Sequence, residues 1–187
     1  MSGGRGKLIV ISAPSGCGKT TIVKRLLRRN KNLKRSISYT TRPRRPGEVN
    51  KRDYFFISRK EFLARKRKGF FLESAKVFDH FYGTSKQFVK NYLSRGSHMV
   101  LAIDVQGMEQ LCAKAGKEVP MTSIFIMPPS LKALRSRLEK RKTETAGEIK
   151  QRLRIAKSEM RARSLYDFVV INRKVNQVVK KIEGIIK

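Results

Sequence analysis

Ala13-Pro14-Ser15-Gly16-Cys17-Gly18-Lys19-Thr20 decides the reading of this chain. Before it, Leu8-Ile9-Val10-Ile11 is short, continuous and mostly β-branched, the pattern of a strand buried on both faces. After it, from Thr20 to about Lys31, Ile22, Val23, Leu26 and Leu27 recur on one face of a helix. Glycines in a turn between strand and helix let backbone N–H groups converge on phosphate oxygens, and the helix N-terminus adds positive potential. Lys19 is placed to reach the β- and γ-phosphates of a nucleoside triphosphate, and the Thr20 hydroxyl to ligand Mg²⁺. With no phosphate bound, the Lys19 charge is expected to point into solvent. The strict pattern has glycine where Ala13 stands, and alanine resists a positive φ. Cys17 reads as a loop filler, with a thiol made reactive by the helix N-terminus as the other reading.

Working outward, apolar runs alternate with amphipathic stretches, as in a largely parallel α/β sheet. Short strands are expected at Ile37–Thr41 and Tyr54–Ile57. Ser58-Arg59-Lys60-Glu61 has the form of a capping box, so a helix should start there and stop at Gly69. Further strands are expected at Val100–Ile103, Ser123–Met127 and Phe168–Ile171. Pro128-Pro129-Ser130 opens a helix to about Arg141, Thr145-Ala146-Gly147-Glu148 caps another, and Val175–Ile186 closes the chain. The stretch from about Ser36 to Gly96 reads as an insertion that folds over a ligand.

The chain of 187 residues fits one domain with a real core. No apolar run approaches the roughly 20 residues of a membrane span, and Met1 to Lys7 leads into no secretory segment. Cys17 and Cys112 form neither a metal-ligand pattern nor a disulfide framework, which suits a reducing, cytoplasmic setting. Lys and Arg number 44 against 14 Asp and Glu, for a net charge of +30. Such an excess attracts polyanions nonspecifically, although the basic residues are scattered rather than gathered in one tail. A solvated basic surface is the plainer reading.

The acceptor side of the reaction is read from Ser38-Tyr39-Thr40-Thr41-Arg42-Pro43-Arg44-Arg45-Pro46-Gly47-Glu48, a turn-rich stretch with three arginines and four hydroxyls. Fixed guanidinium forks suit a phosphate monoester. Asp53-Tyr54, Phe71-Leu72-Glu73 and Tyr82-Gly83-Thr84 follow. A carboxylate in an apolar strand needs partners. Guanine supplies two, N1–H and N2–H, which one carboxylate accepts together, whereas adenine cannot satisfy it.

In order and spacing these residues resemble the guanylate kinase family. The resemblance continues through Ile103-Asp104-Val105-Gln106-Gly107, Phe125-Ile126-Met127-Pro128-Pro129-Ser130, Tyr166-Asp167 and Asn172, and so covers essentially the whole chain. It implies a three-layer P-loop NTPase α/β fold with a parallel core sheet. One domain, 1–187, would comprise a core (1–35 and 97–187), a GMP-binding insertion at about 36–96 and a lid at about 137–152. The implied reaction is in-line phosphoryl transfer from ATP to GMP, and to dGMP, with Mg²⁺.

By the same resemblance Arg42, Arg45, Tyr54 and Tyr82 would hold the GMP phosphate, and Ser38, Glu73 and Thr84 would read guanine. Glu48 would orient the arginines. ATP would lie on Ala13, Pro14, Ser15, Gly16, Cys17, Gly18, Lys19, Thr20 and Thr21. Asn172 would frame adenine, with loop capping as an equal reading. Lys19, Arg137, Arg141 and Arg152 would be catalytic, the arginines closing over the phosphates, although a basic helix face that never meets substrate has the same composition. Thr20 and Asp104 would serve the metal, directly or through water, while Asp104 also fits a helix N-cap. Ala102 departs from the family, in which a second acid for guanine is common.

Two rival classes stand beside the enzyme. A guanylate-kinase-like module gripping a phosphorylated peptide usually lacks a working phosphate loop, which Gly18-Lys19-Thr20 supplies. A nucleic-acid binder is suggested by charge alone, without an RNA-binding motif. No specific protein partner is indicated.

Overall fold

β1 (Leu8–Ser12) is buried at every position, as expected of its apolar run. In the computed structural model, which describes residues 6–77, 79–115, 120–140 and 144–187, it leads through the glycine turn into α1 (Lys19–Arg29). Then come β2 (Leu33–Arg35), β3 (Tyr39–Thr40), β4 (Phe55–Phe56), α2 (Arg59–Arg67), β5 (Phe71–Val77) and β6 (His80–Ser85). α3 (Lys86–Ser94), β7 (His98–Ile103), α4 (Val105–Ala115) and β8 (Met121–Met127) follow. α5 (Leu131–Glu139), α6 (Ala146–Glu159), a 3₁₀ segment (Met160–Leu165), β9 (Phe168–Ile171) and α7 (Val175–Ile186) complete the chain.

A five-stranded sheet runs in the order β2-β7-β1-β8-β9, with β8 and β9 parallel, and a four-stranded sheet in the order β4-β3-β6-β5. The chain divides into two compact units. One holds Asn32–Met99 and Gln106–Pro120 with the chain up to Leu8; the other holds Ile9–Lys31, Val100–Val105 and Met121–Lys187.

In the first unit, Phe62 of α2 stacks on Phe71 and Phe81, with ring centroids 4.5 and 5.4 Å away. Gly83 of β6 admits that packing, because a Cβ there would lie 2.9 Å from the Phe71 ring. From α4, Gln110 bonds both the N–H and the carbonyl of Ser74 in β5, at 3.1 and 2.6 Å. In the second unit, Phe125 and Ile126 of β8 and Leu134 and Leu138 of α5 are fully buried.

The caps follow the sequence with one difference. Thr145 and Glu148 complete a reciprocal capping box at the start of α6. Ser58 caps α2 by accepting the Glu61 N–H, but the Glu61 carboxylate turns to Arg65 at 2.6 Å, so the box is half made. An available guanidinium one turn on is the stronger partner for a carboxylate. β9 and α7 have the bounds expected from the sequence. β2, β6, α3 and α4 are additions to it, and β5 runs four residues beyond the apolar Phe71-Leu72-Glu73 stretch. β5 buries Glu73 and Ser74 next to each other, which breaks the alternation that marks a strand. Gly107 inside α4 weakens its helical signal.

Candidate active site

The phosphate loop takes its shape from two glycines. Gly16 and Gly18 have φ of 88° and 85°, in the left-handed region that glycine enters without strain. At Gly16 a side chain would also collide with Leu138, whose Cδ2 lies 2.8 Å from the position of a Cβ. Gly18 caps α1 without a side chain. Ala13 needs no such freedom, since Lys51 is the only described non-glycine residue with positive φ. Alanine therefore fits where the strict pattern has glycine.

Lys19 is not directed into solvent as expected. Its Nζ donates to the Ile103 carbonyl at the end of β7, at 2.6 Å. An ammonium in part-buried surroundings needs an acceptor, and this one sets Lys19 beside the strand end that carries Asp104.

Asn172, 2% exposed, joins three elements. Its N–H donates to Met127 at 2.7 Å, its Nδ2 to the Cys17 carbonyl at 2.8 Å, and its own carbonyl accepts Arg137 Nη2 at 2.8 Å. Of the two readings left open for this side chain, capping of the loop is the contact it makes. Arg152 of α6 donates from Nη1 to Ser15 Oγ at 2.8 Å and lies 3.6 Å from Glu144. Arg141 lies outside the described residues.

Glu159, at the end of the same helix, was not singled out in the sequence. Its Oε2 is buried without a hydrogen-bond partner among the described residues. Burial pushes its pKa up to about 7; the charge of Lys19 pulls against this and that of Asp104 adds to it. The signal that could have found it is its spacing, seven residues beyond Arg152 and so on the same helix face.

The acceptor residues gather in the other unit. Arg42 Nη2 donates to both carboxylate oxygens of Glu48, at 2.7 and 2.9 Å, and Glu48 also accepts the Arg45 backbone N–H at 2.9 Å. Glu48 thus fixes one arginine by its guanidinium and the other by its main chain, leaving the Arg45 residue exposed. The Arg42 guanidinium lies 5.6 Å from the centre of the Tyr54 ring, which lies 6.1 Å from that of Tyr82. Burial opposes the charge of Arg42, but the hydrogen bond to Glu48 and the neighbouring Tyr82 and Glu48 outweigh it and hold its pKa above the usual value. Burial likewise raises Glu48, and its bonds from Arg42 and Arg45 overcome that and lower it. Burial raises Tyr54, which keeps its hydroxyl a donor.

Glu73 and Thr84 face each other in register across β5 and β6, 3% and 0% exposed. Thr84 Oγ1 is buried without a hydrogen-bond partner among the described residues. Ser38, half-buried, precedes β3, and its carbonyl accepts the Phe55 N–H.

A strand–glycine loop–helix in one unit, and arginines, tyrosines and a buried carboxylate in the other, are the parts expected of a P-loop kinase of nucleoside monophosphates. The family model described as guanylate kinase matches residues 5–187. The guanylate kinase of Wolbachia sp. subsp. Brugia malayi is 48% identical over 181 residues, 97% of this chain and 92% of that protein. That of Caldanaerobacter subterraneus is 48% identical over 182 residues, 97% and 87% of the two chains. The crystal structure of guanylate kinase from Anaplasma phagocytophilum superposes with a TM-score of 0.81 at 33% identity, covering 98% of this chain and 85% of that one. The chain belongs to the guanylate kinase family, the kinases that pass a phosphoryl group from ATP to GMP.

Proposed function

We propose that this chain phosphorylates GMP, and dGMP, at the expense of ATP, through the residues that the sequence singled out. The observation that carries the acceptor assignment is the pairing of buried Glu73 with buried Thr84 in the unit that holds the Arg42–Glu48–Tyr54 group. A carboxylate matches the two adjacent donors of guanine, and the Thr84 hydroxyl can serve the same base. Arg42 is already oriented by Glu48, so it meets the GMP phosphate with little ordering left to do. Tyr54, Tyr82 and Arg45 supply the remaining phosphate contacts, and Ser38 a further contact to the base.

On the ATP side the backbone of residues 13–21 cradles the phosphates, and Lys19 exchanges the Ile103 carbonyl for β- and γ-oxygens. Arg137, Arg141 and Arg152 neutralise charge on the equatorial oxygens of the moving group and exclude water. The acceptor oxygen of GMP is anionic at neutral pH, so no general base is required.

Thr20 and Asp104 offer hard oxygen donors, which fits Mg²⁺ held largely by phosphate and water. Among the described residues no group of three or more His, Cys, Asp or Glu could hold a metal by itself, as that mode of binding allows. Thr20 and Asp104 would hold the ion beside the triphosphate, where its positive charge would offset that of the phosphates.

A cytoplasmic location belongs to this reading and is supported by Cys17 and Cys112, neither of which is in a disulfide. Among the described residues no helix is long and apolar enough to cross a membrane. The charge of +30 adds weak polyanion binding separate from catalysis, which predicts heparin retention that falls as salt rises.

The deciding experiment is ADP release measured with GMP, dGMP, AMP, CMP and UMP in turn. Turnover with GMP and dGMP, and only background with the others, is expected. ATP consumption indifferent to the base, or none with GMP, overturns the reading.

A further inference from the structure

Arg35 ends β2, and its guanidinium lies over the ring of Tyr54, with Cζ 5.8 Å from the ring centre. Arg42 lies 5.6 Å from the same centre, so two guanidinium groups meet one tyrosine. Arg35 Nη2 also donates to the Asp53 carbonyl at 3.4 Å, which ties its side chain to the residue before Tyr54. All of these residues belong to one compact unit.

The two arginines differ in what answers their charge. Both carboxylate oxygens of Glu48 accept from Arg42, so that charge is offset before any ligand arrives. The Asp53 carboxylate turns away to the Val49 N–H and to Arg52, at 2.8 and 2.9 Å. Arg35 is half-buried and makes no ion pair among the described residues. Its acceptor is a neutral carbonyl near the long limit for a hydrogen bond, and a phosphate oxygen is a stronger partner for a guanidinium.

The charge balance points the same way. A phosphate monoester carries about two negative charges at neutral pH. Arg42 and Glu48 together contribute none, and Arg45 contributes one. Arg35 supplies the other. Burial raises the pKa of the Tyr54 hydroxyl, and of the charges that act against this rise Arg35 is the strongest, ahead of Arg42. The field of Arg35 therefore reaches the hydroxyl that serves the phosphate.

We propose that Arg35 is a third guanidinium of the GMP phosphate site, exchanging the Asp53 carbonyl for a phosphate oxygen when the monophosphate binds. The inference rests on the acceptor reading above for the role of Tyr54. Glu48 orients Arg42 in advance at the expense of its charge, and Arg35 restores the charge that this orientation gives up. The effect belongs to the phosphate and leaves the base untouched.

The test uses the full chain with Arg35→Gln and Arg35→Lys, and the same substitutions in a Tyr54→Phe background. Affinities for GMP and for guanosine, which has no phosphate, are read by calorimetry, and folding by thermal melting. Arg35→Gln is expected to weaken GMP by about tenfold, the low end for a hydrogen bond to a charged group, with guanosine unchanged. Arg35→Lys keeps the charge without the fork and recovers part of the loss. The loss from Arg35→Gln persists in the Tyr54→Phe background, because Arg35 acts on the phosphate itself. Wild-type GMP affinity in Arg35→Gln overturns the proposal. So does an equal loss for GMP and guanosine, which marks a structural role, or a loss that vanishes in Tyr54→Phe, which marks an action through the tyrosine alone. A chain that binds GMP through Arg35 yet fails to phosphorylate it would overturn the kinase reading and leave this one standing.

Discussion

The Asn172 side chain donates to the Cys17 carbonyl at 2.8 Å, tying the residue after β9 to a loop 155 positions earlier. Cys17 is fully buried, and a Cβ on Gly18 would lie 3.1 Å from the Asn172 amide nitrogen. The loop is therefore braced from behind by a side chain rather than by its own turn alone.

Asn172→Ala removes that donor from the Cys17 carbonyl. The expected loss of stability is about 1–3 kcal/mol, read by urea unfolding. KM for ATP should rise and KM for GMP should stay, since the Arg137 contact is to the Asn172 backbone and survives the change. A variant with wild-type stability and wild-type KM for ATP would show that the brace does not matter.

Lys19→Ala is expected to abolish nearly all turnover. Because Lys19 donates to Ile103, the substitution also removes a charge-assisted bond of the folded protein, for a loss of about 1.5–3 kcal/mol. Steady-state turnover and a melting curve separate the two effects. Substantial kinase activity in this variant would contradict the assignment of the loop.

In the proposed reading Glu73 alone carries the carboxylate recognition of guanine, with Ala102 in place of a second acid. Glu73→Gln presents an NH₂ to a guanine donor and should cost about 1–3 kcal/mol or more in GMP recognition. Ala102→Asp is expected to tighten GMP binding. KM for GMP and the preference for GMP over AMP check both. An unchanged preference in Glu73→Gln places the reading of the base elsewhere.

The raised pKa of Glu159 sets a direction for stability against pH. Its folded value of about 7 lies above the ordinary 4.5, so the folded state binds the proton more tightly than the unfolded chain does. Stability from this group is greatest below about pH 4.5, falls as pH rises from there to about 7, and is level above that. Glu159→Gln removes the titration, so its Tm relative to wild type should be higher at pH 8 than at pH 5. A Tm difference that is the same at both pH values would mean that the carboxyl titrates normally.

Much of the fold was legible because its signals are local. β1, β9 and α7 are continuous apolar or amphipathic runs, and the Thr145 and Ser58 caps are read from four residues each. The extent of β5 past Glu73 was hidden because Glu73 and Ser74 are buried side by side for reasons that lie outside the strand, in Gln110 of α4 and Thr84 of β6. In the candidate site, the Arg42–Glu48 pair, six positions apart in a turn, is the one the family resemblance implies. Glu159 escaped notice because nothing near it in the chain gives a glutamate at a helix end a purpose.

The amino-acid sequence by itself determined the phosphate loop. Eight consecutive residues between a buried strand and an amphipathic helix suffice, because the positive φ at Gly16 and Gly18 is a property of those residues and their immediate neighbours. Only the tertiary structure decided what grips that loop. Lys19 meets Ile103 across 84 positions, Ser15 meets Arg152 across 137, and Cys17 meets Asn172 across 155. Such pairs depend on the order in which strands assemble into the sheet, and no periodicity or cap encodes that order locally. A side chain's partner is then set by where the backbone brings it, and residue type limits only what it can do on arrival.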